Sequence, residues 1–302
     1  MNIQLLAIGI VFAFLFGITI GSFLNVCIYR LPLGMSVNYP PSHCPKCKHR
    51  LGAADLFPLF SFLLLGRKCR YCGAPISWTY FSRELLTGLL FVCIFLRFGY
   101  SIDTVCFCLF TAGLIVAFFT DLETYIIPDS VNIALCIFGV ARDIARIAES
   151  SGYAVGGGSA LSLYTIPFTD VSFRMMPSVM GIVLCGGAFW LLTVIGYHAF
   201  RPKDPGKREG YEGAMGMGDV FLAAGIGAVL GARKGFISFI VAIFLGTVIG
   251  LAVIAVRKKK GDPAGEGTMI PFGPFMAAGA LIVMFFADKL FLLWKLWLGL
   301  FA

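Results

Sequence analysis

Six residues in this chain combine a chemically useful type with a telling position. Four are cysteines, Cys44-Pro-Lys-Cys47 and Cys69-Arg-Tyr-Cys72, in a C-x2-C-x21-C-x2-C arrangement. Two knuckles at that spacing each give two thiolates to one tetrahedral Zn²⁺. Four thiolates leave no coordination position open, so the predicted metal is structural. The competing reading is two disulfides, which would need an oxidising compartment. Flanking Lys46, Lys48, Arg50, Lys68 and Arg70 favour the thiolate form and partly offset the charge of a four-thiolate zinc centre. His43 and His49 are neighbours that a complete set of four thiolates makes unnecessary as ligands, and they read as surface polar residues. The other six cysteines, Cys27, Cys93, Cys106, Cys108, Cys136 and Cys185, lie in apolar stretches and read as small buried hydrophobes.

The remaining two residues are Asp121 and Asp219. Ionisable groups at membrane spans are costly and are functional candidates. Asp121 follows Ala117-Phe118-Phe119-Thr120, and Asp219 closes Gly216-Met217-Gly218-Asp219. Two carboxylates sharing a partly desolvated site do not both ionise readily, so one keeps a proton while the other acts as a base. That arrangement can activate water and protonate a leaving amine in peptide hydrolysis. Gly216 and Gly218 leave the backbone open to close approach by a substrate strand, and Pro128 keeps the following helix from extending back over Asp121. Asp129, just beyond Pro128, reads as a helix-start residue. Proton-coupled transporters also place carboxylates in helical bundles, so the pair by itself leaves both readings open.

The elements that must position these residues are membrane helices. Of the 302 residues 59% are apolar and 13% charged, and the mean hydropathy is +0.89. A soluble domain carries about 25% charged residues, so a soluble enzyme and a disordered chain are both excluded. Apolar segments at about 4–29, 85–98, 104–120, 126–141, 177–200, 219–231, 236–256 and 270–287 predict an all-α, polytopic bundle of about eight spans. A short apolar tail follows at 290–301. The first segment lacks a basic start and an A-x-A site, and reads as a mature membrane helix rather than a signal peptide. The predicted organisation is a first transmembrane helix over 1–31, a cytoplasmic zinc-binding loop over 32–83 and a membrane core over 84–302. The loop reads as a short polar segment without an apolar core, dependent on the metal for its fold.

The net charge of +8 is concentrated: eight Lys or Arg lie between Arg30 and Arg83, four between Arg201 and Arg208, and four between Arg257 and Lys260. Threading the spans from an external N-terminus puts all three clusters on one side, which the positive-inside rule makes the cytoplasm. Asp121 and Asp219 then both fall at the cytoplasmic face. Basic clusters beside spans are expected in such a protein, so no nucleic-acid partner is implied. Residues 146–176 are expected to form an external loop, flexible in part, and 201–218 a mobile cytoplasmic loop.

The chain resembles the type IV prepilin peptidases, bifunctional membrane enzymes of type IV pilus and type II secretion systems. The matching segments are Gly21-Ser22-Phe23-Leu24-Asn25-Val26 with Tyr29-Arg30-Leu31-Pro32, the two cysteine knuckles, and Tyr80-Phe81-Ser82-Arg83-Glu84-Leu85-Leu86-Thr87-Gly88. They continue with Asp121-Leu122-Glu123-Thr124 to Pro128-Asp129, Gly-x-Gly-Asp at 216–219, and Pro271-Phe272-Gly273-Pro274-Phe275. The resemblance implies that Asp121 and Asp219 are the catalytic dyad of a membrane aspartic peptidase in the bacterial inner membrane. It implies removal of a basic leader from prepilins and pseudopilins, after a Gly, on the cytoplasmic side. It also implies N-methylation of the new N-terminus from S-adenosylmethionine. No residue spells out a site for that donor; Arg83 and Glu84 are candidates, with a buried ion-paired or interfacial role as the alternative. A proton-coupled transporter using Asp121 and Asp219, and a non-catalytic zinc-loop assembly factor, are the competing functions.

Overall fold

The computed structural model describes residues 3–152, 162–165, 172–200, 216–259 and 270–299. Much of the predicted loop 201–218, the basic residues from Arg201 to Arg208 and the tail end at 300–302 lie outside them. Chain contacts divide the molecule into two compact units, Met1–Thr120 and Asp121–Ala302. Each of the eight apolar segments read from the sequence is helical over most of its length. Among the described residues four helical stretches are long and apolar enough to cross a membrane: Ile3–Leu33, Ile102–Thr124, Pro177–Ala199 and Ala232–Val256.

In the first unit α1 (Ile3–Arg30) packs along α3 (Trp78–Phe98). Small residues at every fourth position of α1, Gly9, Ala13, Gly17 and Gly21, form the stripe that allows it. A Cβ at Gly17 would stand 2.8 Å from Gly88 Cα, and one at Gly21 would stand 2.8 Å from Glu84 Cα. The pair is antiparallel, since Asn25 Nδ2 donates to Tyr80 O at 3.2 Å and Tyr100 Oη donates to Leu5 O at 2.8 Å. Arg30 closes α1 by donating from Nη1 to the carbonyls of Ser36 and Val37. Ser77 caps α3, accepting from the Thr79 amide. The helix α4 (Ile102–Thr124) follows, with Asp103 in its first turn.

The segment 32–83 is predicted to lack an apolar core, and here the structure differs. A short helix, α2 (Phe60–Leu64), forms between the knuckles. Its Phe62 is buried against the rings of Trp78 and Phe81, with centroids 5.2 Å from each. The run Leu56-Phe-Pro-Leu-Phe-Ser-Phe-Leu-Leu-Leu65 supplies apolar material that the basic composition of the loop had masked.

In the second unit α8 (Met217–Leu230) lies at the centre. It is apolar all round and buried from Val220 through Val229 at nearly every position, as such a helix must be. At 14 residues it is about 21 Å long, shorter than a bilayer core. Around it stand α5 (Asp129–Gly152), α6 (Pro177–Gly181), α7 (Gly187–Phe200), α9 (Ala232–Lys259) and α10 (Gly273–Gly299). A π turn at Ile182–Gly186 joins α6 to α7. Contacts to α8 run backbone to backbone: a Cβ at Gly181 would collide with Gly227 O, and one at Gly139 would stand 2.5 Å from the Ala228 carbonyl. Helix ends inside the unit are satisfied by charged side chains. Arg142 Nη1 donates to Val229 O at 2.6 Å at the end of α8, and Asp143 Oδ2 accepts from the Ser178 amide at 2.7 Å at the start of α6. The helix α5 extends to Gly152, past the predicted span end at 141, because Arg142 and Asp143 are accommodated by these caps. Within the predicted loop 146–176, β1 (Ser162–Thr165) pairs antiparallel with β2 (Ser172–Met175), Ser162 opposite Met175.

Candidate functional site

Asp121 sits in the last turns of α4 and is only 6% exposed. The helix stops just beyond it because Tyr125 adopts a left-handed conformation, φ 58°, while its amide still donates to Asp121 O at 2.9 Å. Pro128 then begins the next helix, its carbonyl accepting from the Val131 amide. Asp219 lies in the first turn of α8, whose N-cap is Gly216 in extended conformation. The Asp219 amide closes the turn onto Gly216 O at 3.2 Å. A Cβ at Gly218 would stand 3.3 Å from Ile127 Cβ, so this glycine lets the start of α8 approach the connection after α4.

The two carboxylates, 98 residues apart in sequence, line one cavity of about 200 Å³ with Tyr125, Ile126, Ile127, Asp129, Gly216 and Gly218. Asp129 both opens α5 and faces this cavity. A second cavity, about 460 Å³, is lined by Trp190, Thr193, Val194, Tyr197 and His198, and Gly216 lines both.

Gly273 is a site residue that sequence reasoning left without a role. Its amide donates to Asp121 Oδ2 at 2.8 Å, across 152 positions of sequence. A Cβ there would stand 2.7 Å from that same oxygen. The signal was the Gly273-Pro274 pair at a helix start, where Pro is pre-organised for the first turn, but nothing local says which group the glycine meets.

The four cysteine Sγ atoms lie within 4.8 Å of one another, Cys44 and Cys69 buried and Cys47 and Cys72 exposed. Cys44 Sγ and Cys72 Sγ are 3.8 Å apart, which matches the roughly 3.8 Å separation that tetrahedral Zn–S bonds of about 2.3 Å require. The two knuckles repeat one construction. Lys48 N donates to Cys44 O and Gly73 N to Cys69 O, each at 2.9 Å, and both Lys48 (φ 59°) and Gly73 (φ 68°) are left-handed. Short bridges, His43 with Arg50 and Lys68 with Pro75, close the two turns. The Cys47 amide draws the Cys44 thiol down to about 6 against the opposing effect of burial. His43 Nδ1 is bonded to Pro41 O, and the His49 ring lies on Tyr71 with centroids 3.6 Å apart. The Asp55 carboxylate takes the Arg70 guanidinium at 2.6 Å and the Tyr71 hydroxyl at 3.1 Å, and Arg70 holds it below the usual carboxylate range.

The Glu84 carboxylate accepts the Leu59 amide at 2.8 Å. The Arg83 guanidinium lies 4.5 Å from the Phe119 ring centroid.

Residues 15–98 match the bacterial peptidase A24 N-terminal domain, and residues 108–251 match the type IV leader peptidase family. The chain is 33% identical to a prepilin leader peptidase/N-methyltransferase of Myxococcus xanthus, over 85% of this chain and 69% of that protein. A protein of the same name from Bacillus subtilis is 30% identical over 92% of this chain and 94% of its own length. Another from Pseudomonas aeruginosa is 27% identical over 91% and 90%. No solved structure matches the chain. With a cavity holding both carboxylates, a four-thiolate cluster and relatives covering most of its length, the chain belongs to the type IV leader peptidase family.

Proposed function

We propose that this protein removes the leader peptide of prepilins and prepilin-like proteins and N-methylates the N-terminus that cleavage exposes, with Asp121 and Asp219 as the proteolytic dyad. The observation that carries the dyad is their meeting in one cavity from distant parts of the chain. One carboxylate takes a proton from a water molecule as its oxygen attacks the scissile carbonyl. The other, protonated, donates to the carbonyl oxygen, and collapse of the tetrahedral species expels the amine with a proton returned from the dyad. The Gly273 amide holds one oxygen of Asp121, leaving the other to address the water. Gly216, where a Cβ would meet nothing closer than 3.9 Å, admits an extended substrate chain without side-chain obstruction, and the second cavity, which it also lines, offers that chain room to continue.

The freed amine, once deprotonated, would receive a methyl group from S-adenosylmethionine, the donor implied by the methyltransferase name of the relatives, with S-adenosylhomocysteine as the leaving product. We assign one structural Zn²⁺ to Cys44, Cys47, Cys69 and Cys72, supported by the separation of their sulfurs. The assignment extends to a helical membrane protein of about eight spans in the bacterial inner membrane, with the zinc loop and the dyad facing the cytoplasm and prepilins or pseudopilins as substrates. A proton-coupled transporter is not favoured, since the relatives carry a peptidase name throughout. The test is cleavage of a prepilin by purified protein with Asp121→Asn or Asp219→Asn. Each amide keeps the shape and cannot take a proton from water, so cleavage falls to background; near-normal cleavage by either variant overturns the dyad.

A further inference from the structure

The run from Leu56 to Leu65 lies between the two knuckles of the basic loop and supplies neither a metal ligand nor a dyad residue. Its apolar side chains divide into two sets. Leu59 and Phe62 point inward and are buried, Phe62 against Trp78 and Phe81. Leu56, Phe57, Phe60, Leu63 and Leu64 point outward, with Phe57 55%, Leu63 58% and Leu64 85% exposed. Phe60, Leu63 and Leu64 share one face of α2, and Phe57, before the break at Leu59, adjoins it with its ring centroid 5.4 Å from that of Phe60. So large a contiguous apolar patch on a loop marks an interaction surface.

The depth of this face is set by contacts within the unit. Leu59, left-handed at φ 60°, gives its amide to the carboxylate of Glu84. Glu84 lies six residues into α3, and its Cα stands opposite Gly21. Gly21 in turn precedes the end of α1, Arg30, by nine residues, a distance of about 13 Å along the helix. The turn at Leu59 thus folds back beside the two helices to a level inside the apolar stretch Ile3–Leu33. At such a level a backbone amide without water needs a protein acceptor, and Glu84 is placed to be one.

The flanks carry the opposite character. Between Leu31 and Ser82 there are six Lys or Arg and a single acid, Asp55, which is bonded to Arg70. Arg67, just past α2, lies over the ring of Trp78 at 4.8 Å, and Trp78 is exposed at the first position of α3. An exposed Trp under a cation, next to an outward apolar face, is the pattern of a membrane–water boundary.

We propose that Leu56–Leu64 is a membrane wedge, seated with its outward face in the headgroup–acyl boundary of the leaflet at which α1 ends, with the basic flanks on anionic lipid headgroups. The wedge holds the cysteine knuckles against the bilayer from both sides of their loop. Its occupant is lipid rather than a second protein, because its level is that of the apolar helices and its rim is cationic. The inference rests on α1 spanning the bilayer and is independent of the aspartate assignment.

The test uses the full chain in nanodiscs of mixed anionic and zwitterionic lipid. Leu64→Trp is compared with Lys46→Trp, after subtraction of the unsubstituted protein's emission, in lipids brominated near the top of the acyl chain. The Leu64→Trp emission should be blue-shifted and quenched about twofold or more, as a depth of about 5–10 Å requires, and Lys46→Trp should be solvent-like and unquenched. Phe57→Trp gives the same reading if Leu64→Trp does not fold. Solvent-like emission at 64 and 57 overturns the proposal, as does a blue-shifted emission that bromine leaves unquenched, since a protein surface would then cover the patch.

Discussion

The amide of Gly273 donates to Oδ2 of Asp121 at 2.8 Å, joining the start of α10 to the end of α4. This bond orients the carboxylate with a backbone group that has no rotamer freedom. It also makes the residue at 273 intolerant of a side chain, because the Cβ and the acceptor oxygen would compete for the same space. Gly273→Ala is therefore expected to reduce prepilin cleavage about 100-fold, the scale of a displaced reacting group, while the protein still purifies as a folded, detergent-soluble species. Gly187→Ala is the control: a Cβ there meets nothing within 4 Å, and the residue lines neither cavity, so cleavage should remain within a few-fold of the parent. Equal loss in both would point to general damage rather than misplacement of Asp121.

Asp129 shares the cavity with the dyad and also opens α5. Asp129→Asn keeps the helix-start function, since Asn caps as well as Asp. Its cost in kcat should stay below about tenfold, against the loss of about 10² to 10⁴ expected when an acid–base group is removed. A steady-state comparison of Asp129→Asn with Asp219→Asn separates the two; parity between them would make Asp129 a third member of the site.

Elemental analysis of protein purified without chelator should find about one zinc per chain, the number a single tetrahedral four-thiolate site holds. Cys44→Ser or Cys72→Ser should remove it and make 32–83 sensitive to protease, because the metal ties together two knuckles whose own hydrogen bonds are few. Methylation should suffer more than cleavage in these variants. A native disulfide among the four cysteines would defeat the assignment.

Lys48 and Gly73 occupy equivalent left-handed positions in the two knuckles. Lys48→Gly should therefore stabilise the loop slightly, and Gly73→Val should destabilise it by about 1 kcal/mol or more, since a β-branched residue is strained at positive φ where glycine is not. Zinc retention against a competing chelator reads the difference; an unchanged Gly73→Val variant would contradict the shared construction.

At the crossing of α6 with α8, Gly181 and Gly227 meet through their backbones. Gly181→Ala has no side-chain neighbour that can move aside, so it should cost about 1–3 kcal/mol and shift the helix that begins just before Asp219. Thermal melting and cleavage should fall together here, unlike Gly273→Ala.

Much of this protein is legible in its residues taken in order. Helices follow from long apolar runs, because a chain in lipid must satisfy its backbone internally; each run forms a helix over most of its length, and among the described residues four stretches are long and apolar enough to cross a membrane. The four-thiolate cluster follows from ligand type and short spacing, which confine the sulfurs to two turns. Asp121 and Asp219 stand out because a carboxylate beside an apolar run is rare. What the tertiary structure decided is which distant groups meet. That Gly273 serves Asp121, that Glu84 serves Leu59 and that α5 continues past Arg142 to Gly152 all depend on contacts between segments far apart in the chain. Such contacts leave no local pattern, since a glycine, a glutamate or an arginine has the same spacing signature whatever it faces. The apolar stretch after Asp55 was hidden for a related reason: averaged with its cationic neighbours it reads as a polar loop. Only folding sorts Leu59 and Phe62 to one side and Leu63 and Leu64 to the other.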